Sequence, residues 1–280
     1  MPELPEVETV ARGLHRVLPG DAIVSVQILR NTSIGTDIVQ FASDMVGHCF
    51  KSVRRRGKYI LIDFDNDAGL VCHLRMSGRL LIRPDAKPQD KRFLRVRIGL
   101  ESGRQLHFED MRVFGRLWYK PVDMTFEQIV PTLGELGVEP LDDLTARFLL
   151  DAFAGKQQAI KTALLDQRII AGVGNIYADE SLFLAGIHPA RPGNTLHSHE
   201  IEKLHKAIQT VLARAIAHHG SSLGRSSIQN YARPGGEAGE FQGEHKVFQR
   251  TGEPCLACGE QIQRIVITQR STHFCPVCQQ

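Results

Sequence analysis

CLACGEQIQRIVITQRSTHFCPVC, residues 255–278, contains two Cys-x-x-Cys pairs, Cys255/Cys258 and Cys275/Cys278, separated by 16 residues. Two close thiol pairs on facing turns can present four sulfurs tetrahedrally, which is what a closed structural zinc site requires. The expectation is one structural Zn2+ per chain. With every position filled by protein, such a metal builds a fold and does no chemistry. The intervening IQRIVITQRSTHF (262–274) reads as a hairpin, giving a zinc ribbon in which Arg264, Arg270 and His273 offer basic groups to a phosphate chain. The other two cysteines, Cys49 and Cys72, have hydrophobic neighbours and read as core thiols. Six cysteines with four in the last 26 positions argue against a disulfide scaffold and for a reducing compartment.

Upstream of the ribbon, residues 219–243 are rich in Gly and Ser with little apolar pattern, and read as a long mobile loop of the kind that carries function. Before it the period is helical, with Ile201, Leu204, Ile208, Val211, Leu212 and Ala215 in one stripe. In LLDQRIIAGVGNIYADESLF (164–183) a helix ends before Gly172, a Gly-x-Gly turn follows, and Asn175 is placed to cap the next helix. Exposed N–H groups at a helix start, beside glycines that admit close backbone approach, form a phosphate seat.

The first third has another texture. Val7, Val10, Ala11, Leu14, Val17 and Leu18 form one helical face, with Pro5 at its first position and Pro19-Gly20 as its stop. Strand-like stretches follow at 22–29, 58–64 and 93–100, with turn signals at Asp65-Asn66-Asp67 and Ser102-Gly103. The expected class is therefore α+β: an antiparallel β-sandwich with flanking helices, a helical domain, then the ribbon. A Pro/Gly/acid-punctuated link near 121–142 gives the boundaries 1–132, 133–243 and 244–280.

Lys and Arg number 34 against 31 Asp and Glu, so total charge excludes little. Distribution says more. KSVRRRGKY (51–59) gathers Lys51, Arg54, Arg55, Arg56 and Lys58, and RMSGRLLIR and KRFLRVR extend the basic texture. With a zinc ribbon and a pI of about 8.6, a polyanion track is the better reading. No apolar run reaches the ~18 residues of a membrane span, and MPELPEVETV opens with acids rather than a signal peptide, so a cytoplasmic protein is expected.

Met1 precedes the small residue Pro2, so removal of the initiator would leave a prolyl amine. An α-amine titrates near ~8 against ~10.4 for lysine, which makes it the better nucleophile at neutral pH. Glu3 is adjacent, Glu6 lies one helical turn on, and Lys58 follows Gly57 in the basic run. Amine plus carboxylic acid is the minimal kit for displacement with proton transfer.

MPELPEVETV, RRGKYILIDF, HLRMSGRL, EDMRVFGRLW, LLDQRIIAGVGNIYADESLF and GEPCLACGEQI…QRSTHFCPVCQ occur in this order, and together they resemble the bacterial formamidopyrimidine-DNA glycosylases over nearly the whole chain. The resemblance implies a helix–two-turn–helix domain between sandwich and ribbon. It also implies a monomeric, nucleoid-associated repair enzyme that removes oxidised purines such as 8-oxoguanine and formamidopyrimidines from damaged double-stranded DNA and nicks the strand by β,δ-elimination. Carried over by motif, Pro2 is the nucleophile and Glu3 the general acid/base, while Glu6 positions the sugar. Lys58 contacts phosphate and assists proton transfer, and Arg270 grips phosphate in the δ step. Met76, Arg112 and Phe114 fill the gap left by the extruded nucleotide, and Lys156 and Asn175 bind phosphate.

One departure falls where the family commonly has Lys-His-x-His/Arg: this chain reads Arg92-Phe93-Leu94-Arg95, so Arg92 and Arg95 are left to supply the charge. VFQR (247–250) likewise replaces a usual Tyr-Gly pair. Two rivals are weighed against the purine reading. An endonuclease VIII-type enzyme for oxidised pyrimidines usually opens PEGPE, whereas Leu4 follows the purine-type pattern. A non-catalytic zinc-ribbon nucleic-acid-binding protein would not need Pro2, Glu3, Lys58, Asn175 and Arg270 intact.

Overall fold

A computed structural model of the chain describes residues 1–84, 91–224 and 230–280. It divides into two compact units, Met1–Gly134 with His218–Glu240, and Glu135–Ala217 with Phe241–Gln280.

In the first unit α1 (Leu4–His15) buries Leu4, Val7, Val10, Ala11 and Leu14. It starts one residue before the expected Pro5 and stops at His15, short of the predicted end. Leu18 is still buried, but in the turn that leads to Gly20 at φ +84°. After β1 (Ile23–Ile28) and α2 (Ile38–Ser43) come seven strands: β2 (Phe50–Arg56), β3 (Tyr59–Phe64), β4 (Gly69–His73), β5 (Gly78–Pro84), β6 (Leu94–Leu100), β7 (Arg104–Asp110) and β8 (Arg116–Lys120). With β1 they form two antiparallel four-stranded sheets, ordered β1-β6-β7-β5 and β2-β3-β4-β8. The expected sandwich is observed, and one apolar core joins α1 to both sheets. Strand β6 shows the half-buried alternation that its sequence predicts, with Leu94, Val96, Ile98 and Leu100 inward. The short α3 (Phe126–Ile129) follows β8.

Two connections matter for function. β4 and β5 lie in different sheets, as do β7 and β8, so 74–77 and 111–115 both cross between layers. The register Gly78↔Asp110 and His73↔Arg116 sets these crossovers side by side.

Residues 218–240 belong with the sandwich, whereas the sequence division put them with the helical segment. Backbone contact is the reason: Ile82 N donates to Pro234 O at the edge of β5, and Pro234 packs on Gly13 of α1. Residues 225–229 of the expected long loop lie outside the described residues.

The second unit carries α4 (Ala146–Phe153), α5 (Ile160–Leu165), α6 (Asn175–Ala185) and α7 (Ser198–Ala217), then the hairpin β9 (Gln263–Ile267) and β10 (Arg270–Phe274). The buried residues of α7 contain the whole predicted stripe. The β9–β10 turn places Thr268 and Gln269 at φ +48° and +61°, the two left-handed residues of a tight hairpin turn. Among the described residues no helix is long and apolar enough to cross a membrane.

Candidate active site and nucleic-acid interface

Helix α1 is fastened to β2 at two points: Val53 N donates to His15 Nδ1 at 3.1 Å, and Arg55 Nε donates to Glu8 at 2.7 Å. Descending α1 from His15 to Glu8 means ascending β2 from Val53 to Arg55. The N-terminus of α1 and the turn after Arg56 therefore lie at the same end of the sandwich. That turn is Gly57-Lys58, closed by the pair Arg56↔Tyr59, with Gly57 at φ +54°. Pro2 is buried, and Glu3, Glu6 and Lys58 are at most 7 % exposed. Burying two carboxylates and an amine is costly unless their bonds are satisfied, so this concentration at one end marks a site. Glu6 Oε2 accepts from Glu3 N at 2.7 Å and Oε1 from Ser221 N at 2.7 Å. Gly220, at φ +73°, passes so close that a Cβ there would stand 2.7 Å from Glu6 Oε1.

Sequence reasoning missed His73, a lone histidine without a spacing signal. The pair Tyr59↔His73 brings it beside Lys58. Burial pushes its imidazole down to about 3, and the charges of Arg75 and Lys58 add to the shift. In the unfolded chain the same group takes up a proton near pH ~6.5, so below that the unfolded state binds more protons and stability falls with acidification. Its contribution is complete above about pH 6.5 and is lost progressively toward pH 3, on the order of 2 kcal/mol by pH 5. Urea titrations of wild type and His73→Gln at pH 7.5 and 5.0 should show a smaller acid loss in the variant. Equal losses would remove this assignment.

The two crossovers carry the other predicted residues of this unit. Met76 is half-buried, Arg112 is exposed, and Phe114 is 51 % exposed with the Arg112 guanidinium 5.0 Å from its ring centre. An apolar ring left half in solvent is not core. Arg92 stands 4.6 Å over the Phe93 ring, a cation–π contact. Arg95 spends two donors on backbone, Nε on Asp110 O and Nη1 on Arg92 O, so it is less available to phosphate than its sequence suggests. The basic run is also partly spoken for: Arg55 is paired with Glu8, Lys51 with Asp67 and Arg54 with Asp63. Cys72 is fully buried and Cys49 partly so.

In the second unit the capping expectation is corrected. Gly174 is the N-cap of α6 and Asn175 its first residue, and the Asn175 side chain makes no cap. Instead Asn175 Nδ2 donates to Ser271 O at 2.9 Å, next to Arg270, which is exposed at the start of β10. Gln167 shapes the glycine turn from the other side, accepting from Gly172 N and donating to Val173 O. Lys156 is half-buried after α4.

His273 is also corrected. It is not offered to solvent but is 5 % exposed, with its N–H donating to Asp179 Oδ2 at 3.0 Å. Asp179 pairs with Lys161 at 2.6 Å, both side chains fully buried, and Lys161 Nζ also donates to Ser271 O and to Thr272 Oγ1. A buried ion pair repays its desolvation only when its remaining bonds are made, as here, and it locks β10 to α5 and α6. Glu180 does the same for 246–248, accepting from three successive backbone N–H groups. None of these had a sequence signal, because each depends on contacts between distant segments.

The four ribbon sulfurs all lie within 4.8 Å of one another. Cys255–Cys278 and Cys258–Cys275 are 3.9 and 3.4 Å apart, close to the ~3.8 Å that tetrahedral sulfurs at ~2.3 Å from zinc require. Ala257 N and Cys278 N point at the Cys255 and Cys275 sulfurs at 3.4 Å, as turns that hold thiolates do. The donor set fits one structural Zn2+, held by all four cysteines.

Comparison with known proteins agrees. Family models match at residues 1–117 (formamidopyrimidine-DNA glycosylase N-terminal domain), 136–227 (its H2TH domain) and 252–280 (a zinc finger found in FPG and IleRS). The formamidopyrimidine-DNA glycosylase of Gloeobacter violaceus is 47% identical over 100% of this chain and 98% of its own, and that of Herpetosiphon aurantiacus 45% over 100% of both. A Lactococcus lactis FPG mutant in complex with a Fapy-dG containing DNA superposes with a TM-score of 0.90 at 34% identity, covering 100% of both chains. The MutM (FPG) protein of Thermus thermophilus gives 0.87 at 38%, covering 99% of this chain and 98% of that one. The chain belongs to the formamidopyrimidine-DNA glycosylase family.

Proposed function

We propose that the protein excises oxidised purines, 8-oxoguanine and formamidopyrimidines, from duplex DNA, and then cleaves the strand at the resulting abasic site. The observation that carries this is the burial of Glu3, Glu6 and Lys58 around the start of α1, at the sandwich end that also presents Arg112 and Phe114. After removal of Met1, the Pro2 nitrogen lone pair attacks the sugar C1′ and the C1′–base bond breaks, the base leaving with the electron pair. Glu3 supplies the proton that lets the C1′–O4′ bond open, leaving an iminium between C1′ and the proline nitrogen. That cation withdraws electrons as a C2′ proton is lost, so the 3′-phosphate departs by β-elimination and the 5′-phosphate by δ-elimination.

Glu6 orders the loop at 220–221 beside the sugar. Lys58 meets a phosphate and assists proton transfer during elimination. Lys156, Asn175 and Arg270 grip phosphates, and Arg270 serves the δ step. Chemistry at C1′ needs the nucleotide turned out of the stack, and Met76, Arg112 and Phe114 occupy the gap, with Arg112 facing the orphaned base. Recognition of damaged DNA in the Lactococcus lactis complexes, one of them with an abasic site containing DNA, supports this reading. The active species is a monomer.

Sodium borohydride added to the protein with a duplex holding one 8-oxoguanine opposite cytosine should yield a covalent protein–DNA adduct. Binding without adduct or cleavage would favour a non-catalytic DNA-binding protein, and adduct only on oxidised pyrimidines would favour the endonuclease VIII-type reading. Arg112→Ala should bring excision opposite cytosine and opposite adenine about ten-fold closer together, on the scale of one base contact. An unchanged ratio would remove the role of Arg112.

A further inference from the structure

We propose that Ser77 and Asp110 form a buried brace that holds Met76, Arg112 and Phe114 in fixed relation, making both positioning residues for the probing of the duplex. The inference rests on the proposed roles of those three residues in filling the emptied stack. Asp110 is wholly buried at the end of β7, and the donors to its carboxylate are one hydroxyl and two backbone N–H groups. Its Oδ1 accepts from Ser77 Oγ at 2.5 Å and from Arg112 N at 3.1 Å, and its Oδ2 from Gly115 N at 2.7 Å. Ser77 Oγ in turn accepts from Arg112 N at 3.0 Å. One carboxylate thus grips both ends of the 111–115 crossover and, through Ser77, the neighbouring crossover that carries Met76.

The backbone so gripped is strained. Val113 sits at φ +58° and Arg75 at φ +53°, one left-handed non-glycine residue in each crossover. A β-branched residue there is rare, and it persists only where its surroundings over-determine it. The crossovers are also closely built. A Cβ on Gly115 would meet Phe108 at 2.6 Å and Asp110 Oδ2 at 3.1 Å, and one on Gly78 would meet Leu74 O at 2.5 Å. Outward from the brace the same loops expose Met111 and Phe114, 41 % and 51 %, with Arg112 stacked on the Phe114 ring. A side chain that must enter a base stack keeps its aim only if its own support is rigid, and a buried carboxyl group that accepts three hydrogen bonds supplies that.

The experiment compares wild type, Ser77→Ala, Arg112→Ala and the double variant on 8-oxoguanine duplexes with cytosine or adenine opposite. A single-stranded oligonucleotide with a preformed abasic site, which has no opposite base and no stack to enter, is the control. Ser77→Ala should lower duplex excision about ten-fold, the scale of a lost buried hydrogen-bond partner. It should also shift the opposite-base ratio in the direction of Arg112→Ala, with borohydride trapping on the single strand within about two-fold of wild type. In the double variant the opposite-base ratio should shift no further than in Arg112→Ala alone, because Ser77 acts on that ratio through Arg112. Asp110→Asn, which turns an N–H2 toward a backbone N–H, should give the same pattern more strongly. If Arg112→Ala changes the ratio and Ser77→Ala does not, or if the two shifts in that ratio simply add, the brace is wrong and the reading of Arg112 stands. Equal losses on duplex and single strand would mean general destabilisation and would overturn the proposal. If Arg112→Ala leaves the ratio unchanged, the reading beneath the proposal fails, and the brace with it.

Discussion

Excision of 8-oxoguanine by Glu3→Gln should fall about 10²- to 10⁴-fold, the range of a lost general acid, while binding to the same duplex should be retained. The amide preserves shape and hydrogen bonding but has no proton to give as the sugar ring opens. Glu3 is 3 % exposed, so bulk water is poorly placed to substitute for it. Pro2→Gly should lose activity for a different reason, which follows from the proposed prolyl route. A secondary amine forms an iminium with no N–H, which stays cationic and keeps withdrawing electrons through both eliminations. The imine of a glycine amine can lose its proton and the charge with it. Base excision should drop at least about 100-fold, and adduct trapping with it. Mass spectrometry of the active preparation completes the test: if every active molecule still carries Met1, the prolyl route is excluded.

Cys275→Ser should cost the whole ribbon. Structural zinc in small Cys-rich modules contributes on the order of 10–16 kcal/mol of apparent binding energy at neutral pH, and that energy is folding energy. Cys275 is fully buried beside Val247 and Ile262, and Phe183 of α6 packs against the same small cluster. Without the metal, the cluster is too small to hold β9 and β10 together. Their loss frees Ser271 from Lys161 and Asn175, and His273 from Asp179. Arg270 then has no fixed place from which to meet a phosphate. The expected outcome is zero rather than one zinc per chain by elemental analysis, with DNA affinity reduced and its salt dependence shallower by the lost phosphate contacts. Metal-free wild-type protein that is folded and fully active would exclude the structural role.

The ribbon is legible in the sequence because four cysteines at fixed spacing leave few arrangements. The sandwich is legible because alternation in segments such as 94–100 reports a half-buried strand directly. The departures are instructive in another way. Within VFQR (247–250), the stretch read as replacing a Tyr-Gly pair, Gln249 takes φ +61°, a conformation that suits glycine. The backbone there is dictated by Glu180, which binds the N–H groups of 246–248, so the fold imposes the turn on a residue that does not favour it. Asn175 shows the converse. Its sequence position suggests a helix cap, but a tertiary acceptor, Ser271 O, claims the side chain and leaves Gly174 as the N-cap.

By itself the sequence determined the fold class, the metal ligands and the basic texture. Those features are written in composition, periodicity and short spacings, where physical preferences act within a few residues. Tertiary structure alone decided that 218–240 joins the sandwich, that Arg55 and His273 serve internal partners, and that Lys161, Asp179, Ser77 and Asp110 are buried supports. Each of these depends on which distant groups meet in a low-dielectric interior, where an unpaired polar atom is expensive.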